Sequence, residues 1–230
     1  MKRGLSSFAL ETNKKLSQGI DEKIIKLGNS NVIKTEMKIR RDPDNIYIFE
    51  DYPQFQPNLS PKEILQAGSF GGTYFRPIYS SITNKSYGAE VWEELPSDWL
   101  QGLDINTLVA SSVYNKKVNK YKVKCGSSLE DWEKSGWMNA QDPYGWFQWY
   151  CRFFQGRRSE DDERQIGRWV KCAGFNGRWR NYLIGKVYKS GAKYDDVHIS
   201  PVVRQVLLHW AYALTEKDYV KSAPRLVKKN

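Results

Sequence analysis

The chain has 230 residues, 40% hydrophobic and 27% charged, a balance that excludes wholesale disorder and suffices to bury a core without disulfide staples. A net charge of +10 points to a polyanionic partner, although the same excess also serves solubility. The three cysteines, Cys125, Cys151 and Cys172, are odd in number and form no Cys-x-x-Cys pair, which points to a reducing, intracellular setting.

Further classes are set aside on the same ground. The only histidines are His198 and His209, and no His-Glu-x-x-His spacing exists, so neither a metal nor another cofactor is expected. No stretch approaches the ~20 apolar residues of a bilayer span, and the start of the chain lacks the apolar run of a secretory signal. No membrane partner is expected. The compartment expected is the nucleus or cytoplasm, or a virion if the protein is viral.

Taken in order, residues 1–56 read as an N-terminal arm or extension. Leu16, Ile20, Ile24 and Leu27 predict a helix over 12–27, and Ile46-Tyr47-Ile48-Phe49 a short strand. The arm is a candidate for homo-oligomer contacts. Ser60-Pro61-Lys62-Glu63 is a capping box with proline at the first helical position, closing at Gly68. Gly71-Gly72 before an aromatic run predicts a tight turn or a close backbone approach. Ser80 to Tyr87, centred on Asn84, predicts a hairpin tip, and Ser97-Asp98-Trp99 a short helix. The alternation Tyr121-Lys122-Val123-Lys124-Cys125 predicts a half-buried strand.

From residue 128 helix signals dominate. Ser128 caps one helix, Asp142-Pro143 a second through Trp146 to Phe154, and Ser159 a third. The acids Glu160, Asp161, Asp162 and Glu163 suit the positive end of that helix. A fourth helix covers 178–189, and Ser200-Pro201 opens a fifth. Residues 216–230 read as a loose polar tail. The expectation is an α+β protein, with short strands in the N-terminal half, a helical, tryptophan-rich C-terminal half, and one folded domain over 57–215.

Residues 142–210 carry twelve Lys+Arg against seven Asp+Glu. Arg164, Arg168 and Lys171 fall on one side of the third helix. Arg157 and Arg158 lie just before it, and Arg178, Trp179 and Arg180 just after. Arginine forks suit phosphate, and an indole among them could stack on a base. The plainer reading is that Arg164 and Arg168 pair with acids of their own helix.

Two short strings carry a resemblance. Gln141-Asp142-Pro143-Tyr144 resembles the water-activating motif of uracil-DNA glycosylases, and His198-Ile199-Ser200-Pro201 resembles their His-Pro-Ser-Pro motif. The resemblance implies an aspartate positioning water, a tyrosine wall and a histidine aiding the departing base, carried here by Asp142, Tyr144 and His198. Ala140, Gly145 and Ile199 depart from the pattern, and both strings also read as helix starts.

Longer segments, Gly71-Gly72-Thr73-Tyr74-Phe75-Arg76-Pro77-Ile78-Tyr79-Ser80 and Asp142 through Phe153 with Gly156-Arg157-Arg158 following, carry a second resemblance. They are similar to segments of a family of uncharacterised fungal, algal and large-DNA-virus proteins. That resemblance implies one unit over about 57–215 and no particular activity. The leading functional expectation is nucleic-acid binding, DNA rather than RNA, through Arg157, Arg158, Arg164, Arg168, Lys171, Arg178, Trp179 and Arg180. The alternatives are an enzyme acting on a nucleotide or nucleobase and an assembly protein of a virion or larger complex.

Overall fold

The computed structural model of the protein describes residues 39–227 and the backbone of Ile33–Lys34. The helix expected over 12–27 lies outside the described residues. Strand content among the described residues is small. β1 (Ile33–Lys34) pairs antiparallel with β6 (Arg157–Arg158), β2 (Arg40–Arg41) with β3 (Tyr47–Ile48), and β4 (Ile78–Ser80) with β5 (Lys85–Tyr87). The last pair is the hairpin expected around Asn84, which takes the left-handed turn position with φ 53°.

Helices carry the rest. α1 (Pro61–Ala67) has the expected reciprocal cap between Ser60 and Glu63. After the one-turn α2 (Ile105–Leu108), α3 (Leu129–Lys134) has the same box from Ser128 and Asp131. α4 (Trp146–Phe154), α5 (Asp162–Cys172), α6 (Arg178–Ser190), α7 (Pro201–His209) and α8 (Glu216–Val227) follow. The α+β class, with its helical, tryptophan-rich C-terminal half, is as expected.

The core is aromatic and centred on α4. Trp149, Tyr150 and Phe153 are fully buried. Phe55 meets the Trp169 ring of α5 edge-on at 5.2 Å, and Trp146 lies 4.6 Å from Trp210 at the end of α7. Such offset and edge-on pairs are the favoured aromatic geometries.

Several expectations need correction. Phe49 and Phe55 belong to this core, so the folded unit begins before residue 57. Over residues 216–227 the expected tail is not loose. It forms α8, which packs on α6, and its Asp218 accepts from Arg180 and from the Tyr212 hydroxyl. Residues 121–125 form a turn and irregular chain rather than a strand, with Lys122 at φ 56°. α4 starts at Trp146 with Gly145 as its cap, not at Asp142-Pro143. Asp161 takes the N-cap position of α5 without a capping side-chain bond, and Ser159 instead donates through its backbone and hydroxyl to Asp162.

Candidate functional site

The predicted arginine face is largely engaged with the protein itself. Arg157 is buried and donates at 2.7 and 2.6 Å to the two oxygens of Asp142. Arg180 is buried and donates to Asp218 at 2.5 Å. Arg158 pairs with Asp51 and lies 3.7 Å from the centre of the Phe153 ring. Arg164 pairs with Asp161 three residues back, as the plainer reading expected. Arg168 bonds Gln165 and the Trp137 carbonyl, and it lies within 6 Å of both the Trp137 and Trp210 rings, 5.8 and 5.4 Å from their centres. Burial pushes its guanidinium pKa down. Lys171 and Arg178 remain exposed, Arg178 lying over the half-buried Trp179 ring at 4.7 Å. A buried guanidinium committed to a carboxylate cannot also grip a phosphate, so Arg157 and Arg180 contribute structure.

The three residues of the glycosylase resemblance are not brought together for that chemistry. Asp142 is fully buried, and Oδ1 accepts from Arg152 and Arg157 while Oδ2 accepts from Arg157. Arg152 in turn grips Glu94, and although burial works against its charge, the two carboxylates hold its pKa above the ordinary value. No oxygen of Asp142 is turned toward solvent to position water. Tyr144 is buried, its hydroxyl donating to the Arg76 carbonyl. Burial is the main cause that raises its pKa. His198 is exposed on the loop before α7, where its backbone N–H meets Asp196.

A concavity among the described residues takes in Tyr144 but neither Asp142 nor His198. A cleft of about 500 Å³ is walled by Phe70, Tyr74, Tyr114, Trp132 and Tyr144. Its lining includes two cations, Arg76 and Lys124, and no carboxylate. Volume and apolar walls fall in the range of small-molecule sites. The Gly71-Gly72 turn shapes one wall, where Gly71 lies under the Tyr114 ring. Tyr74 is fixed from behind, donating to the Tyr144 carbonyl at 2.6 Å and accepting from Gln148 N–H.

Cys125 and His209 meet in the same lining. Sγ lies 3.5 Å from Nδ1. Nε2 accepts from the Phe70 backbone N–H at 3.0 Å, and Gln205 Nε2 lies at the same distance. The Gln205 amide is oriented by Tyr121 N–H on its oxygen and by the Gly68 carbonyl on its nitrogen. With Nε2 accepting, the neutral ring bears its proton on Nδ1 and aims it at the sulfur. Burial pushes His209 down to about 3 and the Cys125 thiol up to about 12. A general base needs a free lone pair facing its nucleophile, and His209 presents an N–H instead. The pair is therefore a neutral part of the wall rather than a thiolate–imidazolium couple.

One lip of the cleft is a segment that helical and strand periodicity do not single out. Between Asp104 and Glu130 there is no acidic residue, while Lys116, Lys117, Lys120, Lys122 and Lys124 crowd into nine positions with Tyr121 among them and Tyr114 just before. All five lysines are exposed. Among the described residues none of them forms a salt bridge. The signal in the sequence is an acid-free window, and the strand-like alternation at its end masks it.

Comparison with known proteins finds no matching family model, no matching curated protein and no matching solved structure. Among the described residues no group of three or more His, Cys, Asp or Glu is placed to hold a metal ion, and no helix is long and apolar enough to cross a membrane.

Proposed function

We propose that this chain binds nucleic acid, mainly through backbone phosphates, and that the lysine segment 116–124 is its principal contact surface. The observation that carries this reading is five exposed lysines without ion-pair partners among the described residues, alongside a cleft whose only charged lining groups are Arg76 and Lys124. Cations without a carboxylate partner break no ion pair when they meet a phosphate, Lys122 giving up only its bond to the Lys117 carbonyl, and each contact releases a counterion. Lys171 and Arg178 offer a second, smaller set of exposed charges. Contacts of this kind position a backbone without reading sequence, so sequence preference is slight.

The test is fluorescence anisotropy with labelled single- and double-stranded DNA and RNA over a salt series. Wild type is compared with a variant carrying Lys→Gln at 116, 117, 120, 122 and 124, and with Arg164→Ala/Arg168→Ala. For a single strand the log–log salt slope should become shallower by up to about 3.5 in the five-lysine variant, at roughly 0.7 for each phosphate no longer neutralised. The arginine pair should change it far less. An unchanged slope in the five-lysine variant would move the surface elsewhere, and no binding at low salt would sink the reading.

A further inference from the structure

We infer that the aromatic cleft takes one unstacked base of a bound strand, so that the protein prefers single-stranded or frayed nucleic acid to duplex. This rests on the nucleic-acid reading above and deepens it. Three observations converge. The walls are aromatic rings, Phe70, Tyr114 and Trp132 among them, with Phe70 stacked on the His209 ring at 4.0 Å and 18°. Bases of every kind present a flat face to such walls, and stacking of this type tolerates any sequence. The charged groups of the lining itself are two cations, Arg76 and Lys124, with Glu130 outside it but within electrostatic reach of Arg76. Finally, the cleft and the cationic segment are continuous. Lys124 belongs to both, so a backbone following residues 116–124 arrives at the mouth.

The polar groups fit a base edge better than a second charge. Ser112 and Ser127 bring hydroxyls that both donate and accept, while Thr73 donates to the Phe70 carbonyl, Ser128 caps α3 and His209 is held as a neutral part of the wall. The surroundings of the cleft are rigid on the inner side, where Tyr74 and Asn119 are locked by buried hydrogen bonds. A paired base would have to leave its stack before entering, which costs free energy that an unpaired base does not spend.

The experiment measures Kd for a labelled 15-nucleotide single strand and for its blunt duplex, with full-length protein. Two variants are used. Ser127→Trp fills the cleft from an exposed position without altering any charge. Trp132→Leu removes a wall. Wild type should bind the single strand about tenfold or more tighter than the duplex, the scale of one base–aromatic stack. Both variants should bring that ratio toward one while leaving duplex affinity and its salt slope unchanged. If Ser127→Trp does not fold, Trp132→Leu alone decides. A wild-type ratio of one, or a ratio that the variants leave untouched, would overturn the inference while the phosphate-binding reading stands. Absence of binding to either form at low salt would overturn both.

Discussion

Arg157 holds Asp142 by two parallel hydrogen bonds, 2.7 Å from Nη1 to Oδ1 and 2.6 Å from Nη2 to Oδ2, with both residues buried. The pair ties the turn before α4 to β6 beyond it, and Arg152 adds a third bond at 2.9 Å. Removing the negative charge would leave a guanidinium buried without its counter-charge. Asp142→Asn should therefore destabilise the fold by about 3–5 kcal/mol, the usual cost of breaking a buried pair from one side. Urea unfolding measures this. Oligonucleotide affinity per folded molecule should not change. A loss of affinity without loss of stability would return Asp142 to a binding or catalytic role.

A second buried anion is satisfied by an indole. Trp149 Nε1 donates to Asp162 Oδ1 at 2.8 Å, and Ser159 supplies that carboxylate's other bonds. Trp149→Phe keeps a ring in the core but removes the donor. The expected loss is about 1–3 kcal/mol from the weakened carboxylate, plus a packing loss for the smaller ring. In a double-mutant cycle with Asp162→Asn, the two losses should be less than additive. Full additivity would mean that the hydrogen bond contributes nothing of its own.

How much of this is legible in the sequence depends on distance along the chain. The boxes at Ser60 and Ser128 and the hairpin at Asn84 are where the sequence places them, because each is decided by residues within a few positions. The arginine face differs from expectation for the opposite reason. Helical spacing groups the cations, but Arg157 meets Asp142 fifteen residues away and Arg180 meets Asp218 thirty-eight away. Nothing in local periodicity announces such a partner. The cleft is invisible in the same way, since its walls come from Phe70, Tyr114, Trp132, Tyr144 and His209. The lysine segment is different. Its lack of acids is readable, and it needs weighing against the strand alternation that Tyr121 and Val123 imitate.

His209 gives the fold a pH dependence of known sign. Its folded pKa is pushed by burial down to about 3, from an ordinary value of 6.5. Between those values the unfolded chain takes up a proton that the folded chain refuses. The stability present above about 6.5 is therefore lost as pH falls toward about 3. Of the groups facing the ring, the Cys125 thiol, pushed up to about 12, stays neutral throughout, and no carboxylate lines the cleft. His209→Gln removes the titration while leaving an amide oxygen to accept the Phe70 N–H. Unfolding free energies compared at pH 7 and pH 4.5 should shift in the variant's favour at the lower pH. Parallel losses in both proteins would show that His209 does not contribute.

The Gly71-Gly72 turn is the last constraint that can be isolated. Gly72 has φ 79°, and a Cβ there would stand 2.1 Å from the carbonyl oxygen of Thr107. That oxygen is backbone and cannot rotate away. Gly72 and Gly71 also accept from Ser111 and Asn115 N–H, so the strain would pass along the chain to Ser112 and Tyr114 in the cleft wall. Gly102 shares the same φ of 79°, but a methyl group there would meet nothing within 4 Å. Gly102→Ala should thus cost only the left-handed backbone penalty of about 1–2 kcal/mol. Gly72→Ala should cost that much and the clash besides, and it should weaken single-strand binding by displacing Tyr114. Urea unfolding of the two variants side by side separates the contributions. Equal losses would mean that the close approach to Thr107 relaxes freely, and that the paired glycines serve the turn alone.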